Sequence, residues 1–367
     1  PEASPDTGAL LVNLGTPDSP SPRDVRRYLA EFLSDPRVLS IPSPIRWMLL
    51  HGVILRTRPR KSAAAYAQIW QPEGSPLLIH GRALRDGVEK VLGPALPVAL
   101  AMRYGRPDVD GALAALVAAG VRRIVVLPLF PQYSEAATGS ALAHVRARVA
   151  RLETPVELIE IAEFHDHPGF IEAAASLARP VIDAVDAEHV LLSYHGLPES
   201  QVRSNPGCLA SPDCCERRGP TFAICYRAQC LATSRALTEA LDLEPDRCTT
   251  AFQSRVGPTR WIGPYTDAVL GELRERGVTR LVVLCPAFVA DCLETLEEIG
   301  IRLREQWHAL GGRAFGVAPC VNAEPGFVEA VASLVRDAAG TGNGGPRPGH
   351  AQRSGRSSAA DPRQVSR

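Results

Sequence analysis

The chain has 367 residues, 45% apolar and 22% charged, which buries ample core and exceeds one typical domain; wholesale disorder and fibres are excluded and two domains are expected. Forty Lys plus Arg oppose forty Asp plus Glu, so no net field exists to hold a polyanion, and a nucleic-acid partner is not expected. Apolar runs such as Ile124 to Pro131 fall short of the roughly 20 residues a spanning helix needs, and no charged-then-apolar leader opens the chain, so it reads as soluble and cytoplasmic.

Taken in order, Ala9 to Leu14, Val98 to Met102, Ile124 to Leu129 and Val156 to Ile161 read as short buried strands, with helix-period segments between them. That alternation predicts an α/β fold with parallel sheets. Ile45 to Leu55 is apolar apart from Arg46 and His51, and Arg56, Arg58, Arg60 and Lys61 follow. Such a stretch either rests on anionic lipid or is a buried helix with a charged exit. The loop Pro131 to Ser140 is rich in hydroxyls, which suits carboxylate or phosphate oxygens, or a plain turn and helix cap.

The second half repeats the first. Gly-Val-Arg-Arg-Ile-Val-Val-Leu from Gly120 recurs as Gly-Val-Thr-Arg-Leu-Val-Val-Leu from Gly277, and Pro168-Gly169-Phe170-Ile171-Glu172-Ala173 returns as Pro325-Gly326-Phe327-Val328-Glu329-Ala330, both 157 residues on. Leu10 to Pro17 likewise aligns with Leu191 to Pro198. The expected layout is two Rossmann-like domains related by internal duplication, at 7–165 and 166–340, each a parallel sheet flanked by helices, with a cleft between them. A cysteine-rich insertion at 203–232 and a disordered tail at 341–367 complete it. Ligands in such folds sit at the carboxyl ends of strands. No Walker sequence occurs, and the only Gly-x-Gly-x-x-Gly lies in the tail without a strand-to-helix context, so no nucleotide is expected.

His195 ends a predicted strand where its repeat counterpart, Leu14, is apolar. Asp291 and Glu294 begin a predicted helix after another strand, and their spacing in an α-helix places both carboxylates on one face. Glu297 and Glu298 fit the ordinary preference of acids for a helix amino end. Arg255 and Trp261, again after a strand, offer a cation beside a flat apolar surface, suited to a planar anionic ligand. Five of the nine cysteines, Cys208, Cys214, Cys215, Cys225 and Cys230, crowd one segment, a pattern of metal ligation in a reducing compartment rather than of disulfides.

Together these strings resemble ferrochelatase, which inserts ferrous iron into a porphyrin. They are Leu11 to Pro17, Pro131-Gln132-Tyr133-Ser134 with Thr138-Gly139-Ser140, Ser193 to Pro198, Gln253 to Pro258 with Trp261 to Pro264, and Ala290 to Leu296, in that order. The resemblance implies iron chemistry at His195 and Glu294, with Asp291 beside them, and a porphyrin pocket lined by Leu39, Arg103, Tyr104, Gln132, Tyr133, Ser134, Trp261 and Phe288. It implies protoporphyrin IX and ferrous iron as substrates and no ATP. A coproporphyrin chelatase, or an iron-sulfur or haem-binding sensor on the same scaffold, are the alternatives. The residue chemistry agrees: metal entry expels two pyrrole protons, which a neutral imidazole accepts near pH 7, and ferrous iron in transit suits carboxylates better than a closed thiolate cage. The cysteine segment resembles that of some bacterial members and implies a 2Fe-2S cluster held by four of the five thiols, expected as Cys208, Cys225, Cys230 and one of Cys214 and Cys215. Zinc is the rival occupant. Peripheral contact with the inner face of the membrane is expected through Ile45 to Leu55, and the oligomeric state is left open.

Overall fold

A computed structural model describes residues 6–205, 207–209, 211, 213–216, 222–257, 259–340 and 351–353. The first half runs β1 (Thr7–Thr16), α1 (Pro22–Ser34), α2 (Ser43–Leu49), α3 (Leu55–Ile69), α4 (Pro76–Leu92), β2 (Val98–Gly105), α5 (Val109–Ala118), β3 (Arg123–Pro128), α6 (Ser140–Val149), β4 (Glu157–Ile161) and α7 (Pro168–Val185). The second runs β5 (His189–His195), α8 (Glu199–Arg203), α9 (Tyr226–Ala240), β6 (Cys248–Gln253), α10 (Thr266–Glu275), β7 (Arg280–Leu284), α11 (Arg304–Ala309), β8 (Ala314–Val317), α12 (Pro325–Ala339) and β9 (Ala351–Arg353).

The strand orders are β2-β1-β3-β4-β9 and β6-β5-β7-β8, so the two sheets repeat one topology, and every pair except β4 with β9 is parallel. Central strands such as Leu10, Leu11 and Val12, or Val190, Leu191 and Leu192, are buried on both faces, as parallel sheets covered by helices require. The duplication also reproduces a rarity. After β3 a π-helix spans Glu135–Gly139, and after β7 another spans Glu294–Leu303. π-Segments are uncommon and concentrate at functional sites.

The two halves exchange their last helices. α7 follows β4 yet packs on β7 and β8, whereas α12 follows β8 yet packs on α4, β3 and β4. Gly316 on β8 permits the first contact, because a Cβ there would lie 2.9 Å from Val181 and 2.8 Å from Val185 of α7. α7 and α12 then meet through the repeated motif itself: a Cβ on Gly169 would lie 2.8 Å from that of Ala330, and the equivalent Phe170 and Phe327 rings are 6.0 Å apart. One apolar core runs from Leu11 and Val125 through Phe164, Phe170 and Phe327 to Val190 and Val282. The chain division at 165/166 therefore differs from the spatial one, since α12 belongs to the first sheet.

Between the first strand and the helix before the second, each half holds its largest departure. In the first half α1, α2, a π-turn at Leu50–Ile54 and α3 form a lip. Its inner side buries Val25, Tyr28, Leu29, Leu50, Leu55 and Tyr66, while Ile45, Trp47, Met48 and Val53 are 53%, 64%, 59% and 54% exposed. The apolar run is thus divided between a buried and an outward set. In the second half the same connection carries α8 and the cysteine segment. No helix among the described residues is long and apolar enough to cross a membrane. Of the tail expected to be disordered, 351–353 instead pair with Ile159 to Ile161 on the β4 edge, and the other tail residues lie outside the described ones.

Candidate active site

His195 is the last residue of β5, in register with Gln253 of β6, so both side chains stand at the mouth between the sheets. Its Nδ1 lies 2.7 Å from the Gly196 carbonyl. A carbonyl only accepts, so Nδ1 carries the proton and Nε2 of the neutral ring is left as the base. Trp261 and Phe288 flank the imidazole, with ring centroids 6.4 and 6.2 Å away. Trp261 is fixed by donating its indole N–H to the Val256 carbonyl at 3.0 Å. His195, Trp261 and Phe288 are all partly exposed, as walls of a cleft should be.

Gln253 is buried and couples this wall to the π-helix. Its Oε1 accepts from Ser193 Oγ at 2.7 Å and its Nε2 donates to the Glu294 carbonyl at 3.1 Å. Glu294 opens the π-helix, and its carboxylate raises the pKa of the buried Tyr28 and Tyr66 beneath the lip, burial being the main cause of both shifts. One turn on, Glu298 accepts from the Ser254 amide at 2.9 Å and its Oγ at 2.6 Å. Ser254 adopts φ +65° to make both bonds, a left-handed conformation that a non-glycine residue rarely takes. Burial holds the Glu298 pKa above the usual carboxylate range; the Ser254 bonds and His195 pull it down, while Glu294 pushes it up. Glu298, read from sequence as an ordinary helix-end acid, is thus a buried carboxyl that feels both His195 and Glu294.

Asp291 precedes the helix, so the α-helical spacing argument with Glu294 fails. Its carboxylate accepts from Asn322 Nδ2 at 2.8 Å, Thr295 Oγ1 at 3.2 Å and the Cys320 amide at 3.3 Å, an anchoring role matching that of its repeat counterpart Ser134, which caps the first π-helix.

On the facing side Tyr133 and Leu39 are partly exposed, and Tyr133 donates to Glu135 at 2.9 Å, its pKa pushed up to about 12 chiefly by burial. Other expected pocket residues stand behind this surface. Tyr104 is 1% exposed and donates to Asp35 at 2.9 Å; Arg103 donates to the same carboxylate at 2.6 Å and to Ser140 at 2.8 Å. Gln132 is buried, donating to Thr233 at 3.0 Å and the Pro286 carbonyl at 3.3 Å, and Ser134 is committed to its cap. The hydroxyl-rich loop is thus a turn and cap. Arg255 donates to Asp267 at 2.7 Å, with its guanidinium 4.3 Å from the Tyr265 ring centroid.

The cysteine segment lies beside this wall. Cys214 and Cys215 sulfurs are 3.8 Å apart, Cys225 hydrogen-bonds to both Cys208 and Cys215, and Arg227 donates to the Cys215 sulfur at 3.2 Å. Cys230 bonds instead with the Tyr226 side chain. Cys230 also feels Cys215, so the five thiols share one neighbourhood, within which hydrogen bonds link Cys208, Cys215 and Cys225. Burial raises the Cys208 thiol pKa, and the bond to Cys225 followed by burial raises that of Cys215, so both are neutral thiols that release protons on ligating a metal. Residues 206, 210, 212 and 217–221 of the insertion, and Pro258 of the Gln253 motif, lie outside the described residues.

The ferrochelatase family model matches residues 6–339. A ferrochelatase of Coxiella burnetii is 46% identical over 335 residues, covering 90% of this chain and 93% of its own, and one of Legionella pneumophila is 45% identical over 330 residues, covering 90% and 98%. This chain belongs to the ferrochelatase family. It is an enzyme, a lyase that inserts ferrous iron into a porphyrin in haem synthesis without ATP. In fold it is similar to SirB from Bacillus subtilis, solved with Fe3+, with a TM-score of 0.52 at 13% identity over 91% of this chain and 96% of the other. That likeness is one of fold.

Proposed function

We propose that this ferrochelatase makes protohaem from protoporphyrin IX, with His195 as the base and Glu294 and Glu298 as the route for the protons. The observation that carries the proposal is His195 at the end of β5, its Nδ1 tied to the Gly196 carbonyl and its ring flanked by Trp261 and Phe288, with the adjacent Gln253 bonded to the Glu294 main chain. The porphyrin lies between the apolar rings and the Tyr133 side, one ferrous ion enters, and two pyrrole protons leave. His195 Nε2 takes a proton and returns to the neutral form by passing it towards the buried Glu298 carboxyl, which burial holds above the usual carboxylate range. The net charge of the iron is unchanged, so no electron is transferred. Protoporphyrin, the less soluble ring, suits a cleft beneath an outward apolar lip, and the protein is read as cytoplasmic with that lip on the inner face of the membrane.

The thiol chemistry of the insertion suits a 2Fe-2S cluster, which Cys208, Cys214, Cys215 and Cys225 would hold. When bound, it supplies a cross-link within the insertion and takes no part in proton removal. An anaerobic assay with ferrous iron and each porphyrin in turn tests the substrate: faster turnover of protoporphyrin supports the reading, and faster turnover of coproporphyrin replaces it. Metal analysis with visible absorption tests the cluster. A coloured protein that stays coloured as Cys230→Ala and bleaches as Cys225→Ala is expected, whereas zinc in a colourless protein would reassign the metal.

A further inference from the structure

α9 begins directly after Cys225, and its first residue, Tyr226, is buried with its hydroxyl donating to the His195 carbonyl at 2.8 Å. The same phenol side chain bonds with the Cys230 thiol. One turn along, the buried Gln229 accepts from the Tyr133 amide at 2.6 Å and donates to the Ala223 carbonyl at 2.8 Å. Thr233 then receives the amide of Gln132 at 3.0 Å and donates to the His165 carbonyl at 2.7 Å. A single helix thus holds the His195 main chain on one wall and the Gln132-Tyr133 main chain and side chain on the other, with the thiol group at its amino end.

The His195 ring is sensitive to this support. Because Nδ1 is tied to the carbonyl of the next residue, the main chain at 195 and 196 decides where Nε2 stands, and the Tyr226 bond is what restrains the His195 carbonyl from outside β5. Misplacement of a proton acceptor by an ångström is enough to slow a reaction severely.

We propose that Tyr226 is a positioning residue for His195, and that α9 transmits the state of the thiol group at Cys225 to the base. This rests on reading His195 as the base and the four thiols as a metal site, but the two parts of the test fail separately. Tyr226→Phe keeps the ring and its packing while removing the hydroxyl. In the full-length, metal-loaded enzyme the expected result is a fall in kcat of about tenfold with KM for porphyrin within about twofold, as for a group that acts on orientation rather than binding. The readout independent of turnover is amide hydrogen exchange, expected to accelerate across Ser193 to Leu197 and to stay unchanged across Val190 to Leu192. Stripping the metal from the wild type should reproduce both effects, and stripping it from Tyr226→Phe should add nothing.

Wild-type exchange and kcat in Tyr226→Phe would overturn the positioning role. An equal loss on stripping in both backgrounds would show that the thiol group acts by another route and would overturn the transmission. A fall in kcat that comes with a large drop in thermal midpoint, and with faster exchange throughout β5, would assign Tyr226 to stability alone. If the protein never holds metal, the thiol reading fails and the Tyr226→Phe comparison still decides the positioning. If His195→Ala turns over normally, the base reading fails while the exchange result stands.

Discussion

Replacing Asp291 with Ala removes an acceptor for Asn322, Thr295 and the Cys320 amide, and the orphaned donors should cost about 1–3 kcal/mol of stability with turnover per folded molecule near wild type. Glu294→Gln should do the reverse, lowering turnover by about tenfold or more with a thermal midpoint close to wild type, because only the charge is lost. Thermal unfolding and the anaerobic assay on the same preparations check the contrast. Two histidines away from the cleft set the acid limit. Burial, aided by nearby arginines, holds His144 and His189 down to a pKa of about 4, against 6.5 in the unfolded chain. The unfolded chain therefore binds their protons first as pH falls, so their contribution is complete above pH 6.5 and is lost progressively towards pH 4. Unfolding curves from pH 7 to 4 should show this decline, and His189→Gln should flatten it by up to about 2 kcal/mol at pH 5. Among site residues His195 was legible from sequence because a strand end before a turn is a positional signal. The placement of Glu298 was not, because its bonds to Ser254 depend on the φ of that residue, and nothing local in the sequence marks that conformation.

At the scale of elements, the central strands of both sheets were readable from apolar runs, since strands buried on two faces leave no alternation to misphase, whereas the edge strands β8 and β9 were not. The π-helices were not. An acidic helix start looks the same whether its hydrogen bonds close at four or five residues, and nothing local marks that this helix begins after Asp291. The lip combines both outcomes: its apolar content was plain, but its division between Leu50 and Leu55 inside and Trp47 and Met48 outside needed the fold. Trp47→Ser with Met48→Ser should therefore weaken binding to anionic vesicles by about tenfold or more while the thermal midpoint holds, since each outward side chain contributes roughly 1.5–3 kcal/mol when it enters the bilayer. Flotation measures the binding. Equal flotation of variant and wild type would confine the lip to the substrate cleft.

For the whole molecule, the repeat announced two related halves, and its most conspicuous string, Pro-Gly-Phe, proves to be where the copies touch each other. Offsets in a sequence reveal duplication but not which sheet a returning helix covers, so the exchange of α7 and α12 lay beyond reach. It predicts one cooperative unit. Calorimetry should give a single unfolding peak, and Phe327→Ala, costing about 3–5 kcal/mol, should lower that peak without splitting it. Two separate transitions would mean that each half is stable alone. The same exchange imposes an order on biosynthesis. α4 and strands β1 to β4 are complete long before α12 emerges, about 150 residues after α7, so at about 5–20 residues per second the nascent first half spends on the order of ten seconds with its apolar face uncovered. During that interval it is a natural client for a holdase at the ribosome exit.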